Sequence, residues 1–310
     1  MPPAHAMPDE RARPSRRSRR RTPTGVQVLG ILNVTPDSFS DGGRFSATDV
    51  AVARGIELRD QGADYVDVGG ESTRPGAQRV PAEEEQRRVI PVVSKLVEAG
   101  VRVSVDTMNS ATAMAAADAG ASIINDVSGG LADPDMYRVV AQMELIYIAM
   151  HWRGSPPHGR SILADRPEPA AWAHARGSGD MATYEDVVAD VRDELKARVA
   201  EMLVWGIKPD RIILDPGIGF AKTAEHNWKL LGHLPELASL GYPVLVGTSR
   251  KRFLGSFLPD DAAPDQRDDA TAITTALAAA SGAWGVRVHD VPSTRLALAI
   301  AAAWQNGKTP

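Results

Sequence analysis

The chain has 310 residues, 43% of them hydrophobic and 24% charged, an ordinary globular composition with room for one large domain or two small ones. It contains no Cys, which excludes a disulfide framework, a thiolate metal site and a cysteine nucleophile. Its longest uninterrupted apolar run, Leu296 to Trp304, falls far short of the roughly 18 residues of a membrane span. The net charge of −4 divides unevenly: residues 1–22 carry seven Arg against Asp9 and Glu10, a net of +5, which leaves −9 on the remainder. A body of that sign is a poor nucleic-acid binder, because phosphate contacts need clustered Lys and Arg. Without a signal-peptide core near its start, the chain is expected to be cytoplasmic.

Residues 1–22 mix Pro, Ser and Arg with almost no large apolar side chain, so they read as a disordered basic tail to which no function is assigned. Residues 23–310 read as one domain. Short apolar runs there alternate with longer helix-patterned segments. The runs are Val26–Leu32, Tyr65–Val68, Val101–Val105, Ser122–Asn125, Leu145–Met150, Arg211–Leu214, Val244–Val246 and Val286–Val288. They are apolar on both faces, which suits strands buried in a parallel sheet. The helical segments are Asp49–Gln61, Pro81–Ala99, Ser110–Ala119, Pro134–Met143, Tyr184–Val204, Ala224–Leu240, Gln266–Ser281 and Ser293–Trp304, with Thr48-Asp49 and Asp133-Pro134 as start signals. Eight β–α units in about 285 residues predict an α/β fold, a TIM (β/α)8 barrel. An open doubly wound sheet is the alternative, usually with fewer strands.

Each run ends in a polar or Gly-rich cluster: Asn33, Gly69-Gly70-Glu71-Ser72, Asp106-Thr107, Asn125-Asp126, His151, Asp215-Pro216-Gly217, Ser249-Arg250-Lys251 and His289-Asp290. In a barrel these positions share one rim, where TIM-barrel active sites sit. Taken singly, any Asp or Asn after a strand also serves as a cap for the next helix. The interval Arg153–Ala182 holds four Pro, four Gly and three Ser in 30 residues and reads as a long mobile loop after strand five.

Three parts of the rim differ chemically. Asp106, Asn125 and Asp215 supply acceptors and one amide, a set able to read the amino-amidine edge of a flat heterocycle. The same set also suits a divalent metal or a glycosidase carboxylate pair. Lys251, Arg287 and His289, with Arg250 and Arg252 beside them, follow strands seven and eight, where this fold often binds phosphate. Two loops, Asn33–Gly43 and Gly69–Gly76, are punctuated by Gly and Pro and rich in hydroxyls; they carry Asp41 and Arg74, and Phe39 stands out as a large apolar side chain.

At these residues the sequence resembles the dihydropteroate synthases of folate synthesis. The stretches that carry the resemblance are Gly30-Ile-Leu-Asn-Val-Thr-Pro-Asp-Ser-Phe-Ser-Asp-Gly-Gly43, Asp67-Val-Gly-Gly-Glu-Ser-Thr-Arg-Pro-Gly76, Ser104-Val-Asp-Thr107, Ile124-Asn-Asp-Val-Ser-Gly-Gly130, Leu214-Asp-Pro-Gly-Ile-Gly-Phe-Ala-Lys-Thr223, Gly247-Thr-Ser-Arg-Lys-Arg-Phe253 and Arg287-Val-His-Asp290. They keep the family's order across nearly all of residues 26–305, and Met150-His-Trp-Arg153 and His226-Asn-Trp228 resemble actinobacterial members.

The resemblance implies joining 6-hydroxymethyl-7,8-dihydropterin diphosphate to 4-aminobenzoate with Mg2+ and release of diphosphate. It implies that Asp106, Asn125, Asp215 and Lys251 hold the pterin ring, with Met150 and Phe220 lining its slot. Asn33 helps place the Mg2+-diphosphate, and Arg287 and His289 bind the leaving group. Phe39, Thr73, Arg74, Pro75 and Ser249 form the aminobenzoate side, while Asp41 and Arg74 tie the two loops together. The catalytic set it implies is therefore Asp41, Arg74, Lys251, Arg287 and His289, in a homodimer built through the outer helices, with no nucleic-acid or membrane partner. Two other readings compete with it. A pterin-dependent methyltransferase needs no diphosphate site, and a silent pterin-binding paralogue would be expected to lose the loop residues first; both loops are complete here.

Overall fold

The structure, a computed structural model, describes residues 25–34, 47–71, 80–153, 183–259 and 261–307. The basic tail and the Arg153–Ala182 interval beyond Arg153 lie outside the described residues. Eight strands alternate with helices along the chain. They are β1 (Gln27–Asn33), β2 (Tyr65–Gly69), β3 (Val103–Asp106), β4 (Ile123–Asp126), β5 (Ile146–Met150), β6 (Ile212–Asp215), β7 (Leu245–Val246) and β8 (Gly285–Val288). The helices are α1 (Ala47–Asp60), α2 (Ala82–Glu98), α3 (Ser110–Asp118), α4 (Met136–Gln142), α5 (Val187–Val204), α6 (Ala224–Gly232), α7 (Leu234–Ala238), α8 (Asp268–Ala280) and α9 (Val291–Asn306).

The strands form one sheet in the order β6-β5-β4-β3-β2-β1-β8-β7. All its pairings are parallel. Its two edges meet where Leu214 bridges Val244 in parallel and the Leu214 amide donates to the Pro243 carbonyl at 2.9 Å. The predicted TIM barrel is thus the observed architecture.

Period-two alternation sorts the side chains. Outward residues such as Val28, Val66, Val103, Val105, Ile124, Tyr147, Leu214 and Val286 join the core between sheet and helices. Inward residues Leu29, Ile123, Ile148, Ile213 and Leu245 form a separate apolar cluster that fills the barrel's lower interior. The same inward rows, continued toward the strand C-termini, reach Asn33, Asp106, Asn125, Met150, Asp215 and Arg287. The runs look apolar on both faces because both faces are buried, and the polar residues begin where the barrel opens.

Several predicted boundaries shift for local reasons. The segment Ala224–Leu240 is two helices, broken at His233 (φ −121°, ψ 26°) ahead of Pro235, and α6 opens with a Thr223/His226 capping box. Asp49 lies inside the first turn of α1 and pairs with Lys95 at 2.7 Å. Asp133 does not cap its own helix: it accepts from the Ser110 amide at the start of α3 (2.8 Å) and from the Asp135 amide (3.0 Å). The last helix begins at Val291 rather than Ser293, because Asp290 accepts from the Ser293 amide at 3.2 Å and Pro292 suits the first turn. No helix among the described residues is long and apolar enough to cross a membrane.

Candidate active site

Asp106, Met150 and Asp215 end β3, β5 and β6, Asn125 is the last inward residue of β4, and all four side chains are buried. Burial pushes the Asp106 carboxyl up to about 7; the Arg287 guanidinium pulls it down and neighbouring Asp67 pushes it up again. Asp215 is likewise raised by burial and opposed by Lys251, and its Oδ1 accepts from the Gly217 amide at 2.7 Å. Lys251 Nζ donates to the Ile218 carbonyl and sits 4.6 Å from the Phe220 ring centroid. Burial lowers that ammonium to about 8, with Asp215 supporting its charge.

Two glycines report how closely these groups approach. A Cβ placed on Gly247 would lie within 4.0 Å of Lys251 Nζ, Asp215 Oδ2 and Arg287 Cβ alike. One on Gly69 would meet Asp106 Oδ2 at 3.8 Å and Asn33 Oδ1 at 3.9 Å. A side chain at either position would intrude on a concave space lined by two carboxylates, an ammonium and an amide.

Arg287 and His289 part company. Arg287 Nε donates to Asp67 Oδ2 at 2.5 Å and a terminal nitrogen donates to Asp106 Oδ2 at 2.7 Å, so its head lies across the floor of the pocket. His289 Nδ1 lies 2.9 Å from Ser249 Oγ, which also accepts from the His289 amide at 3.1 Å. Ser249, expected on the aminobenzoate side, therefore touches a proposed diphosphate residue. Arg250 is committed elsewhere: Asp268 takes its head in a fork at 2.8 and 2.7 Å. Arg252 is exposed at the start of a 3-10 turn. Asn33 is exposed at the end of β1, and Phe220 is half-buried. Phe39, Asp41, Thr73, Arg74 and Pro75 lie outside the described residues.

Asp67, which no sequence pattern singles out as a site residue, is the hub of this floor. Fully buried on β2, it accepts from Ser104 Oγ on β3 (2.5 Å), Asn125 Nδ2 on β4 (3.1 Å) and Arg287 on β8. Its grip on Nδ2 turns Asn125 Oδ1 away from it. The available sequence signal was a lone carboxylate inside an apolar run, Tyr65-Val-Asp-Val68. Asp126, grouped with Asn125 in sequence, points the other way into the protein. It accepts from the Ser128 amide (2.7 Å), Ser128 Oγ (2.6 Å), the Gly130 amide (2.9 Å) and the Tyr147 hydroxyl (2.7 Å), and so shapes the turn after β4.

A pocket with two carboxylates, one amide, a lysine over an aromatic ring and a guanidinium on its floor can hold a flat, donor-rich heterocycle. No group of three or more His, Asp or Glu able to cage a metal occurs among the described residues. The family model for pterin binding enzymes matches residues 29–289. A dihydropteroate synthase of Mycobacterium leprae is 49% identical over 283 residues, covering 90% of this chain and 93% of its own. Among solved structures, a Xanthomonas albilineans dihydropteroate synthase with 4-aminobenzoic acid is 42% identical, with a TM-score of 0.78 over 90% of this chain and 93% of that one. The same enzyme in complex with 7,8-dihydropteroate aligns at 40% identity and TM-score 0.75 over 90% and 94% of the two chains.

Proposed function

This chain belongs to the dihydropteroate synthases, within the pterin-binding enzymes, and on that premise we propose that Asp106, Asn125, Asp215 and Lys251 bind the pterin of 6-hydroxymethyl-7,8-dihydropterin diphosphate. Met150 and Phe220 would line the slot, and 4-aminobenzoate would approach past Ser249 and the loop residues Phe39, Thr73, Arg74 and Pro75. The observation that carries this reading is the convergence of Asp215 Oδ2 and Lys251 Nζ on one point beside Gly247, next to Arg287 and Asp106. Carboxylates accept the pterin's N–H donors, and the ammonium donates to its ring acceptors.

In the reaction the C–O bond to diphosphate breaks, and its electron pair leaves with the diphosphate. The pterin methylene becomes cation-like and shares that charge with the electron-rich ring, an effect Asp41 would favour. The neutral aromatic amine then forms the C–N bond and loses a proton to water. His289 would face the growing negative charge, while Arg287, held by Asp67 and Asp106, would add its positive field from the floor of the pocket, where preorganised charge gives most. No strong base is needed because the amine is nucleophilic as it stands; Arg74 and Asp41 would hold the loops so that it is aimed.

Mg2+ fits as an ion carried by the substrate. Asn33 offers an exposed amide oxygen, and hard cations that keep water and phosphate oxygens need few protein ligands. When bound, it would neutralise the charge developing on the diphosphate. We also propose a homodimer. Ile273 and Leu277 on α8 and Leu296, Ile300 and Trp304 on α9 are each more than half exposed, at the i, i+4 spacing of a single stripe on adjacent helices. A second copy covers such a self-complementary apolar face by twofold symmetry.

The test is diphosphate release from the pterin diphosphate and Mg2+ with and without 4-aminobenzoate. Release that depends on aminobenzoate and yields dihydropteroate is expected. Tight pterin diphosphate binding without release would favour the silent paralogue instead.

A further inference from the structure

Behind the pterin slot lies a buried polar chain that the reaction does not use. His151 follows β5 and turns toward α5, its side chain only 2% exposed. Its Nε2 lies 3.0 Å from Glu194 Oε2 on α5, and its Nδ1 lies 3.0 Å from Lys222 Nζ. Lys222 Nζ is also 3.1 Å from the Gly217 carbonyl and 3.2 Å from the Phe220 carbonyl. The other Glu194 oxygen receives Arg153, whose Nε donates at 3.0 Å. Arg153 further donates to the Thr183 carbonyl at 2.7 Å and lies 3.9 Å from the Tyr184 ring centroid. The Tyr184 hydroxyl donates to the Ala221 carbonyl at 3.2 Å.

The proton inventory has one solution. The Glu194 carboxylate can only accept, so His151 carries its proton on Nε2 and presents a lone pair at Nδ1. Lys222 then meets three acceptors, one for each ammonium proton. Burial holds His151 down to about 4, which keeps it neutral. Burial also lowers Lys222 to about 7, while Asp215 supports its charge. The segment it grips is pressed against β5: Gly217 has φ +67°, and a Cβ there would lie 2.2 Å from the His151 carbonyl oxygen. Two lysines therefore hold the carbonyls of one short turn, Lys251 that of Ile218 and Lys222 those of Gly217 and Phe220.

We propose that Lys222, aimed by His151 and Glu194, is a positioning residue for the pterin slot, fixing the 217–221 turn so that Phe220, Lys251 and Asp215 meet the ring in one geometry. This rests on the reading of the slot as the pterin site. Lys222 itself touches no substrate, so its loss weakens pterin binding rather than the chemical step.

The experiment measures Kd for the pterin diphosphate by calorimetry, and kcat and both KM values by diphosphate release, in Lys222→Met, Glu194→Gln and the double variant. Losing charge-assisted bonds to two carbonyls should raise the pterin Kd at least tenfold in Lys222→Met. The KM for 4-aminobenzoate and kcat at saturation should change less than about threefold, since the interaction removed belongs to binding. Glu194→Gln, remote from the slot, should raise the pterin Kd a few-fold and add nothing further in the Lys222→Met background, as coupled residues do. An unchanged pterin Kd, a fall in kcat with KM intact, or full additivity would overturn the proposal. Should Lys222→Met fail to fold, Glu194→Gln alone must show the same split, and its absence is equally fatal. A wild-type protein that binds the pterin diphosphate without releasing diphosphate would instead refute the reading of the reaction, with the Kd series still judging the clamp.

Discussion

Replacing Asp67 with Asn probes the floor of the site with little change of shape. The amide oxygen can still accept from Arg287 and Asn125, and its NH2 can donate to Ser104 Oγ, so the number of hydrogen bonds is kept. What disappears is the charge. Bonds to charged groups contribute about 1.5–3 kcal/mol and neutral ones about 0.5–1.5; the Arg287 bond keeps one charged partner, so the two bonds that become neutral cost about 2–3 kcal/mol together. For a domain of this size that lowers Tm by about 3–5 °C. Asp67 also pushes Asp106 up, so its neutralisation lets the Asp106 carboxyl fall from about 7. A protonated Asp106 keeps only one accepting oxygen and no charge, so it cannot take two pterin donors, and kcat/KM for the pterin diphosphate should rise with pH through that value in the wild type. In Asp67→Asn this acid limb moves to lower pH, while the plateau drops about tenfold as one of the two anchors of Arg287 loses its charge, about 1.4 kcal/mol. Thermal unfolding and diphosphate-release kinetics from pH 5.5 to 8.5 read all three effects. An acid limb that stays in place or moves upward would refute the arrangement, as would an unchanged Tm.

Tyr147→Phe removes one of the donors to buried Asp126 and should cost about 1–3 kcal/mol in urea unfolding while sparing the pterin KM; an unaltered midpoint would count against that bond. His151, near 4 when folded against about 6.5 unfolded, leaves the folded chain with fewer bound protons between those values. Stability therefore falls as the pH drops through that window, by up to about 3 kcal/mol. Glu194, lowered to about 2 by His151 and Arg153 against the upward push of burial, extends the same trend below pH 4.5. The urea midpoint of His151→Gln should decline less than the wild type's between pH 7 and 4.5, and parallel slopes would exclude the assignment. Arg74→Ala should raise the aminobenzoate KM and spare pterin diphosphate binding, which isothermal titration separates; equal loss of both would remove Arg74 from the aminobenzoate side.

The barrel was legible because the strands are buried on both faces and alternate with longer helix-forming segments, signals that need only neighbours in sequence. The rim residues were legible for a related reason, since a strand's last inward position is fixed once the strand is. Side-chain alliances were not. Asp67 meets partners 37, 58 and 220 residues away, and nothing in Tyr65-Val-Asp-Val68 distinguishes a hub from a stray carboxylate. Arg287 looked like a free phosphate ligand because its two carboxylates come from other strands. Asp133 looked like the cap of the helix beside it in sequence, yet part of its carboxylate serves a helix 23 residues earlier. The break at His233 was visible in Pro235 but masked by the apolar rhythm on both sides of it.

β7 is only two residues long, and a single bridge joins its side of the sheet to β6. That seam is the thinnest stretch of the barrel wall, and it separates Asp215 on one bank from Ser249 and Lys251 on the other. A pterin held by Asp215 and Lys251 together, as proposed, would span the gap as a stitch. Substrate occupancy and closure of the wall would then be thermodynamically linked, and the fold would grow more resistant to opening as the slot fills, by RT ln(1 + [L]/Kd). On that reading the seam is firmest when the slot is full.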